Sequence, residues 1–432
     1  MRVLVTGSQG FIGRNLIARL QCRDDIEIFG YDLANTPDDL AAWLDEADFV
    51  FHLAGVNRPQ REEEFFEGNA DFTRAICDRL ARRTDPPPIL LSSSIQAELD
   101  NPYGRSKRLA EEAVMNYARE TGARAIIYRL TNVFGKWSRP NYNTVVATFC
   151  YNIAHDLPIT ISNPNHEVRL IHIDDVVRAF ISELQRSELQ RSEPQKSEPQ
   201  KSEPQKSEVR EQRAEGQVLW RSVLPEYPVT LGRLAELIRS FRAMRQTLLT
   251  PDFSDPFIKK LYGMYLTYLD EDDFAYDLTQ RCDERGCLAE FIKSQHFGQI
   301  FVSRTKPGVT RGNHFHHTKT EKFLVLEGEA VIRFRKIQSD RGQRTERQRS
   351  ETRTAEVRTA EVRTAEIRTA EIRSQRPEVI EYRVSGKDFR VLDIPPGYTH
   401  NIENVGDTDV ITLFWASEIF DPEAPDTYWE EV

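Results

Sequence analysis

At 432 residues the chain is long enough for roughly two or three domains. Its formal net charge of -10 argues against a general binder of nucleic acid or membrane surfaces, and 39% hydrophobic residues, diluted by two polar repeats, fit a soluble globular protein. Five scattered cysteines (Cys22, Cys77, Cys150, Cys282, Cys287) show no metal or disulfide spacing, and no apolar run reaches transmembrane length, so a reducing, cytoplasmic setting is expected.

Arg2 to Thr6 reads as a buried strand, followed by Gly7-Ser8-Gln9-Gly10-Phe11-Ile12-Gly13 and a helical stretch from Arg14 to Leu20. Strand, glycine-rich turn and helix in that order suit a dinucleotide pyrophosphate. Glycines let the backbone approach the phosphates, and the helix N-terminus offers N–H groups and a positive dipole end. A second strand, Ile26 to Tyr31, ends at Asp32, where a carboxylate can bond a ribose 2′-OH and would repel a 2′-phosphate. That favours NAD over NADP; the alternative is a solvated loop aspartate. A third strand, Asp48 to Gly55, ends in small residues, with His52 read as a packed strand residue.

Pro88 to Leu91 leads into Ser92-Ser93-Ser94, and Asn101-Pro102 opens a helix running through Arg119. Tyr103 and Lys107 are four apart and share one helix face. A nearby ammonium lowers a phenol pKa, which lets tyrosine trade a proton with a carbonyl or alcohol oxygen, and a hydroxyl of the serine run can hold the same oxygen.

These stretches, with Tyr128-Arg129-Leu130-Thr131-Asn132-Val133-Phe134-Gly135 and Arg169 to Val176, resemble the extended short-chain dehydrogenase/reductase family. The resemblance implies an α/β, Rossmann-like doubly wound parallel sheet. It implies Ser94, Tyr103 and Lys107 as the catalytic triad, with Tyr103 the acid that protonates a reduced carbonyl. NADPH or NADH is then expected against Gly7, Gly10, Phe11, Ile12, Gly13, Asp32, Leu53, Ala54, Tyr103 and Lys107, with Asn132 beside a sugar nucleotide.

Two tracts of period five follow, one over 182–213 and one over 341–377. Five residues advance a helix by about 500°, so successive copies step about 140° around the axis and form no apolar stripe. On a strand an odd period flips the face at each copy. Both tracts are therefore expected to be solvated, disordered loop insertions. Without them, the chain is expected to comprise a reductase domain over 1–268 and a second domain over 269–432.

From Asp283 onward short strands alternate with turn residues, the pattern of an antiparallel barrel or jelly roll. Within it stand His314 and His316, one residue apart and so on one strand face, then Glu321, and far downstream His400 after Pro395-Pro396-Gly397. Three imidazoles and a carboxylate make a candidate site for zinc or a similar divalent metal.

Gly308-x5-His314-x-His316-x4-Glu321-x6-Gly328 matches the first cupin motif, and Pro395-x-Gly397-x2-His400-x3-Asn404 matches most of the second, with Phe389 where that motif's leading glycine belongs. Asp283 to Glu290 resembles a segment of the cupin-type deoxysugar epimerases, which implies Arg285 as a contact to nucleotide phosphate or sugar; a charged turn is the alternative. The pairing of a short-chain reductase with a cupin is similar to the CapF-type bifunctional enzymes of bacterial capsular polysaccharide synthesis. Leu53 to Pro59, Phe134 to Trp137, Pro140 to Asn143 and Gly397 to Asn404 carry that similarity.

That resemblance implies a homodimer acting on a UDP-4-keto-6-deoxy-N-acetylhexosamine. The cupin half would epimerise C3, and the reductase half would then reduce C4 with NADPH to a UDP-N-acetyl-L-talosamine-type sugar. Tyr398 and Lys322 are candidates for the general base. The competing expectation is a single-activity reductase whose cupin serves structure, dimerisation or sugar-nucleotide sensing.

Overall fold

The computed structural model describes residues 1–192, 209–215, 217–337 and 379–432. They divide into two compact units, Met1–Arg242 with Phe253–Phe274, and Ala243–Asp252 with Ala275–Val432.

The first unit carries β1 (Arg2–Thr6), β2 (Glu27–Tyr31), β3 (Phe49–His52), β4 (Ile89–Ser94), β5 (Ala125–Leu130), β6 (Asn132–Phe134), β7 (Glu167–His172), β8 (Val209–Glu215), β9 (Val218–Val223) and β10 (Tyr227–Thr230). Its helices are α1 (Phe11–Leu20), α2 (Pro37–Glu46), α3 (Glu63–Phe65), α4 (Phe72–Leu80), α5 (Pro102–Thr121), α6 (Val145–Ala154), α7 (Ile173–Ser192), α8 (Leu231–Thr247, which runs on past Arg242) and α9 (Pro256–Leu266). The main sheet has the order β2-β1-β3-β4-β5-β9-β8, parallel except for β8.

The strands read as continuous apolar runs because both faces are covered. Val3, Val5, Phe49, Phe51 and Ile126 enter one core, while Leu4, Val50, Leu91 and Ile127 enter the other. Since β2 and β3 lie on opposite sides of β1, the order reverses there. The loops after these strands therefore splay apart at their C-terminal ends, where open α/β sheets take ligands.

The first period-five tract departs from expectation at both ends. α7 runs through 182–192, with Glu183 and Leu184 fully buried, and β8 takes up 209–213 beside β9. The physical reason is charge as well as packing: the Glu183 carboxylate takes Arg124 at 2.8 Å, Arg186 at 2.6 Å and Arg221 at 3.2 Å. The rest of that expectation, over 193–208, and all of the tract at 341–377 lie outside the described residues.

The second unit is all-β: β11 (Gln280–Asp283), β12 (Gly286–Ser294), β13 (Gly298–Thr305), β14 (Thr310–Phe315), β15 (Glu321–Glu327), β16 (Glu329–Lys336), β17 (Ile380–Ser385), β18 (Val391–Ile394), β19 (Tyr398–Asn404), β20 (Val410–Ala416) and β21 (Tyr428–Trp429). Two antiparallel sheets, β11-β12-β13-β20-β15-β18 and β17-β16-β19-β14-β21, make the jelly roll expected of a cupin. Phe323, Val325, Ile332, Phe334, Leu392, Ile402 and Phe414 fill its interior.

Two local features correct or sharpen the sequence reading. The β11–β12 hairpin sets Cys282 opposite Cys287, and the two are joined as a disulfide, which the cysteine spacing had not suggested. Phe389 adopts φ 44° at the position where the second cupin motif has glycine, and the residue is 68% exposed. A left-handed conformation costs an L-residue roughly 1–2 kcal/mol, and little packing is at stake here. Phe389→Gly is therefore expected to stabilise the cupin unit by about 1 kcal/mol, read as a higher denaturation midpoint; a lower midpoint would count against strain at this turn.

Candidate reductase and metal sites

The glycine-rich loop is drawn tight between β1, β3 and α1. Gly7 has φ 70°, and a Cβ there would lie 2.8 Å from the Ala54 nitrogen; one on Gly13 would lie 2.1 Å from the Gly7 oxygen. Only glycine permits this approach. Gly10 occupies the N-cap of α1 and no side chain caps that end, so its first-turn N–H groups face the loop opening. Asp32 is more than a solvated loop group. Its carboxylate accepts the Gln9 N–H at 2.7 Å and the Leu33 N–H at 2.9 Å, tying the tip of β2 to the glycine loop. Thr6 in turn holds the Leu53 and Ala54 N–H groups at 3.2 and 3.3 Å.

α5 begins with Pro102, and Asn101 caps it by accepting the Gly104 N–H at 2.7 Å. That cap fixes Tyr103 and Lys107 on the first two turns. Lys107 donates to the Ser92 carbonyl at 3.0 Å. Strand alternation separates the serines: Ser93 turns inward to Glu111 at 2.5 Å, leaving Ser94 to face the phenol. Burial pushes the Tyr103 phenol up, partly countered by its hydrogen bond with Ser94. Burial pushes the Lys107 ammonium down to about 8, against the pull of Glu111.

Ser94, Tyr103 and Lys107 thus form one cluster. His52 is a packed strand residue held by Thr6 and Thr73, its pKa pushed down to about 3 by burial and the Lys107 charge. Asn132 is exposed at the start of β6, with its amide on the Arg169 carbonyl at 3.3 Å.

Sequence reasoning missed Asn69. It stands in a π-helical stretch, Phe66–Asp71, between α3 and α4. Its amide grips the Val56 N–H and carbonyl at 2.9 and 3.1 Å and the Ser106 hydroxyl at 3.0 Å, fastening the segment after β3 to α5. The only sequence signal is the small neighbour Gly68, where a Cβ would strike Val56 at 2.3 Å.

The second cluster lies in the cupin unit. His314 lies next to last in β14, His316 follows that strand, Glu321 opens β15, and His400 sits in β19 directly opposite His314. One ligand atom from each of the four falls within 4.8 Å of all the others. The Nε2 atoms of His316 and His400 each lie 3.4 Å from Glu321 Oε2, yet both are buried without a hydrogen-bond partner.

Two orphaned imidazole nitrogens converging on a buried carboxylate fit a shared divalent cation. The other ring nitrogens are engaged: His316 Nδ1 with the Asp426 carbonyl and His400 Nδ1 with the Tyr398 carbonyl at 3.2 Å. Donation from Nδ1 leaves the Nε2 lone pair free to ligate. Burial and the neighbouring His400 push His314 down to about 4, which keeps it neutral near pH 7.

Lys322 is turned outward to Asp393, as strand alternation from the inward Glu321 requires, and this removes it as a base candidate. Tyr398, two residues before His400 on the same strand face, packs against the barrel core. Arg285 sits at the β11–β12 turn and is bound by Asp283 at 2.6 Å, in the manner of a charged turn.

Residues 3–193 match the NAD dependent epimerase/dehydratase family, and residues 281–370 and 361–428 match the Polysaccharide biosynthesis C-terminal domain. The crystal structure of the capsular polysaccharide assembling protein CapF from Staphylococcus aureus superposes with a TM-score of 0.80 and 40% identity, covering 100% of both chains. The chain belongs to the CapF family. A second crystal form of Staphylococcus aureus CapF gives a TM-score of 0.74 at 36% identity, again over 100% of both chains. The Pseudomonas aeruginosa UDP-2-acetamido-2,6-beta-L-arabino-hexul-4-ose reductase is 39% identical over 428 residues, 99% of this chain and 98% of that one. Among the described residues of this CapF relative, no helix is long and apolar enough to cross a membrane.

Proposed function

We propose that the chain is a bifunctional nucleotide-sugar enzyme of capsular polysaccharide synthesis, a cytoplasmic homodimer. Its cupin domain, 269–432, epimerises C3 of a UDP-4-keto-6-deoxy-N-acetylhexosamine. Its reductase domain, 1–268, then reduces the C4 ketone to a UDP-N-acetyl-L-talosamine-type product. The observation that carries the reading is that one chain, similar along its whole length to a UDP-linked 4-ulose reductase, holds both a Ser94–Tyr103–Lys107 cluster and a buried three-histidine, one-carboxylate cage.

In the reductase domain Gly7, Gly10, Phe11, Ile12 and Gly13 would hold the pyrophosphate of NADPH or NADH, with Asp32 toward its ribose and Leu53 and Ala54 along the dinucleotide. The nicotinamide supplies the hydride. Tyr103 donates its proton to the C4 oxygen as that carbon is reduced, Ser94 bonds the same oxygen, and the Lys107 charge stabilises the phenolate left behind. Asn132 would contact the sugar nucleotide here, while Arg285 would contact nucleotide phosphate or sugar in the cupin domain.

In the cupin domain His314, His316, Glu321 and His400 would hold a divalent cation, zinc by the nature of its donors, which supplies a Lewis acid. The order of steps follows from the substrate. The C3–H bond is acidic only while C4 is a ketone, because its electron pair can pass to the C4 oxygen. A proton returned to the opposite face of C3 inverts that centre, and reduction of C4 then locks it. Tyr398, on the strand face of His400, is the candidate to handle this proton.

Incubating the protein with the UDP-4-keto-6-deoxy sugar in D2O, without nicotinamide, tests the pairing by mass at C3. Deuterium uptake is expected with the native protein and with Tyr103→Phe, and is expected to vanish with His316→Ala. No uptake by the native protein would leave a single-activity reductase whose cupin serves structure, dimerisation or sensing.

A further inference from the structure

We propose that Asp426 is the positioning residue of the cupin metal site, clamping the ligand-bearing turn through its carboxylate and orienting His316 through its main-chain carbonyl. The inference rests on the metal reading above and concerns a residue outside both cupin motifs. The Asp426 carboxylate accepts three successive backbone N–H groups, from His317 at 2.9 Å, Thr318 at 2.7 Å and Lys319 at 2.8 Å, and also the Thr318 hydroxyl at 2.8 Å. Those residues form the turn between His316 and Glu321, so a single carboxylate sets the spacing of two ligands.

The same residue's carbonyl holds His316 Nδ1, which orients the ring and leaves Nε2 aimed at Glu321. A histidine ligand is fixed in tautomer and angle by the partner of its other nitrogen, and losing such a partner typically weakens metal binding 10–100-fold.

The segment after Asp426 extends the clamp to the remaining ligands. Thr427 takes the buried Lys319 ammonium at 3.1 Å, and that ammonium lies 3.6 Å from the second oxygen of Glu321. β21 pairs Trp429 with His314 and Tyr428 with Phe315, and the Glu430 N–H reaches the Asn313 carbonyl at 2.9 Å. The Glu430 carbonyl accepts the hydroxyl of Thr399, the neighbour of His400. Residues 426–430 therefore strap β14, the ligand turn and β19 together, with Asp426 as the point where the strap meets a ligand directly.

The test uses the full chain, stripped of metal and titrated with Zn2+ alone against a competing chelator, with thermal unfolding of each metal-free protein in parallel. The main-chain carbonyl survives substitution, so Asp426→Ala removes only the carboxylate clamp; with the ligand turn released, it is expected to bind Zn2+ about 10-fold more weakly than the native protein. Ser417→Ala removes the hydrogen bond to the next N–H of the same turn, Thr320 at 3.0 Å, and is expected to keep native affinity. A merely structural role would lower both melting temperatures and leave both affinities alone, which overturns the proposal, as does native affinity in Asp426→Ala.

Should Asp426→Ala unfold the cupin unit, Asp426→Asn decides. It keeps one side-chain acceptor oxygen and removes only the carboxylate's charge and second acceptor, and an affinity below native supports the clamp while an unchanged one refutes it. A native protein that takes up no Zn2+ would instead overturn the metal reading itself.

Discussion

Tyr103→Phe is expected to lower C4 reduction by about 10²- to 10⁴-fold while leaving substrate binding near native. The ring and its packing against Phe65, at 5.6 Å between centroids, survive the change, and only the proton donor is lost. Because burial raises the Tyr103 pKa, the phenol stays protonated at neutral pH, the form needed to donate to a carbonyl being reduced. The alkaline limit is then set by Lys107. Its folded-state pKa is lowered to about 8, so its charge is present below that pH and lost as pH rises through it.

The reduction rate, as kcat/KM, should therefore fall above about pH 8, and Lys107→Met should abolish that limb together with most of the activity. A pH profile flat to pH 10 with full activity in Lys107→Met would show that the ammonium takes no part. On the bifunctional function proposed above, deuterium exchange at C3 should be indifferent to both substitutions.

The parts of these sites that were legible in the sequence are those whose geometry is local. Gly7 to Gly13 span one strand–turn–helix, Tyr103 and Lys107 one stretch of α5, and His314, His316 and Glu321 one strand end and the next strand start. Helical periodicity puts Tyr103 and Lys107, and strand periodicity His314 and His316, on a common face, while the glycine turn and Glu321 are read from local motif spacing.

The parts that could not be read depend on pairing between distant segments. Asp426 reaches His316 across 110 residues, just ahead of a two-residue strand with no periodicity of its own. Cys282 and Cys287 meet because a hairpin places them opposite each other, a register that sequence leaves open. Asn69 owes its grip on Val56 and Ser106 to a π-helical stretch, which no propensity signals.

The first repeat shows how composition misleads and geometry corrects. Ser182-Glu183-Leu184-Gln185-Arg186 and Ser187-Glu188-Leu189-Gln190-Arg191 are identical in sequence and adjacent on α7. The step of about 140° per copy, which forbids an apolar stripe, also gives the two copies different surroundings. Leu184 is fully buried and Leu189 is 68% exposed. A tract that cannot bury a continuous face can still bury one copy, and here a trio of guanidinium groups waits for its carboxylate.

The second large expected effect follows from that asymmetry. Glu183→Gln should destabilise the reductase unit by about 3–5 kcal/mol, because it removes the fully buried carboxylate charge that pairs with the largely buried Arg124. The matching residue of the next copy, Glu188, pairs with Arg23 at 2.9 Å where both side chains are about a quarter exposed, so Glu188→Gln should cost no more than about 1 kcal/mol. Urea unfolding of the two variants, followed at a probe in the reductase unit, measures the difference directly. Equal and small losses would mean that the whole tract is dispensable, as its composition suggests. A large loss confined to Glu183→Gln would instead mark the first copy as part of the fold, with the expansion beginning only after it.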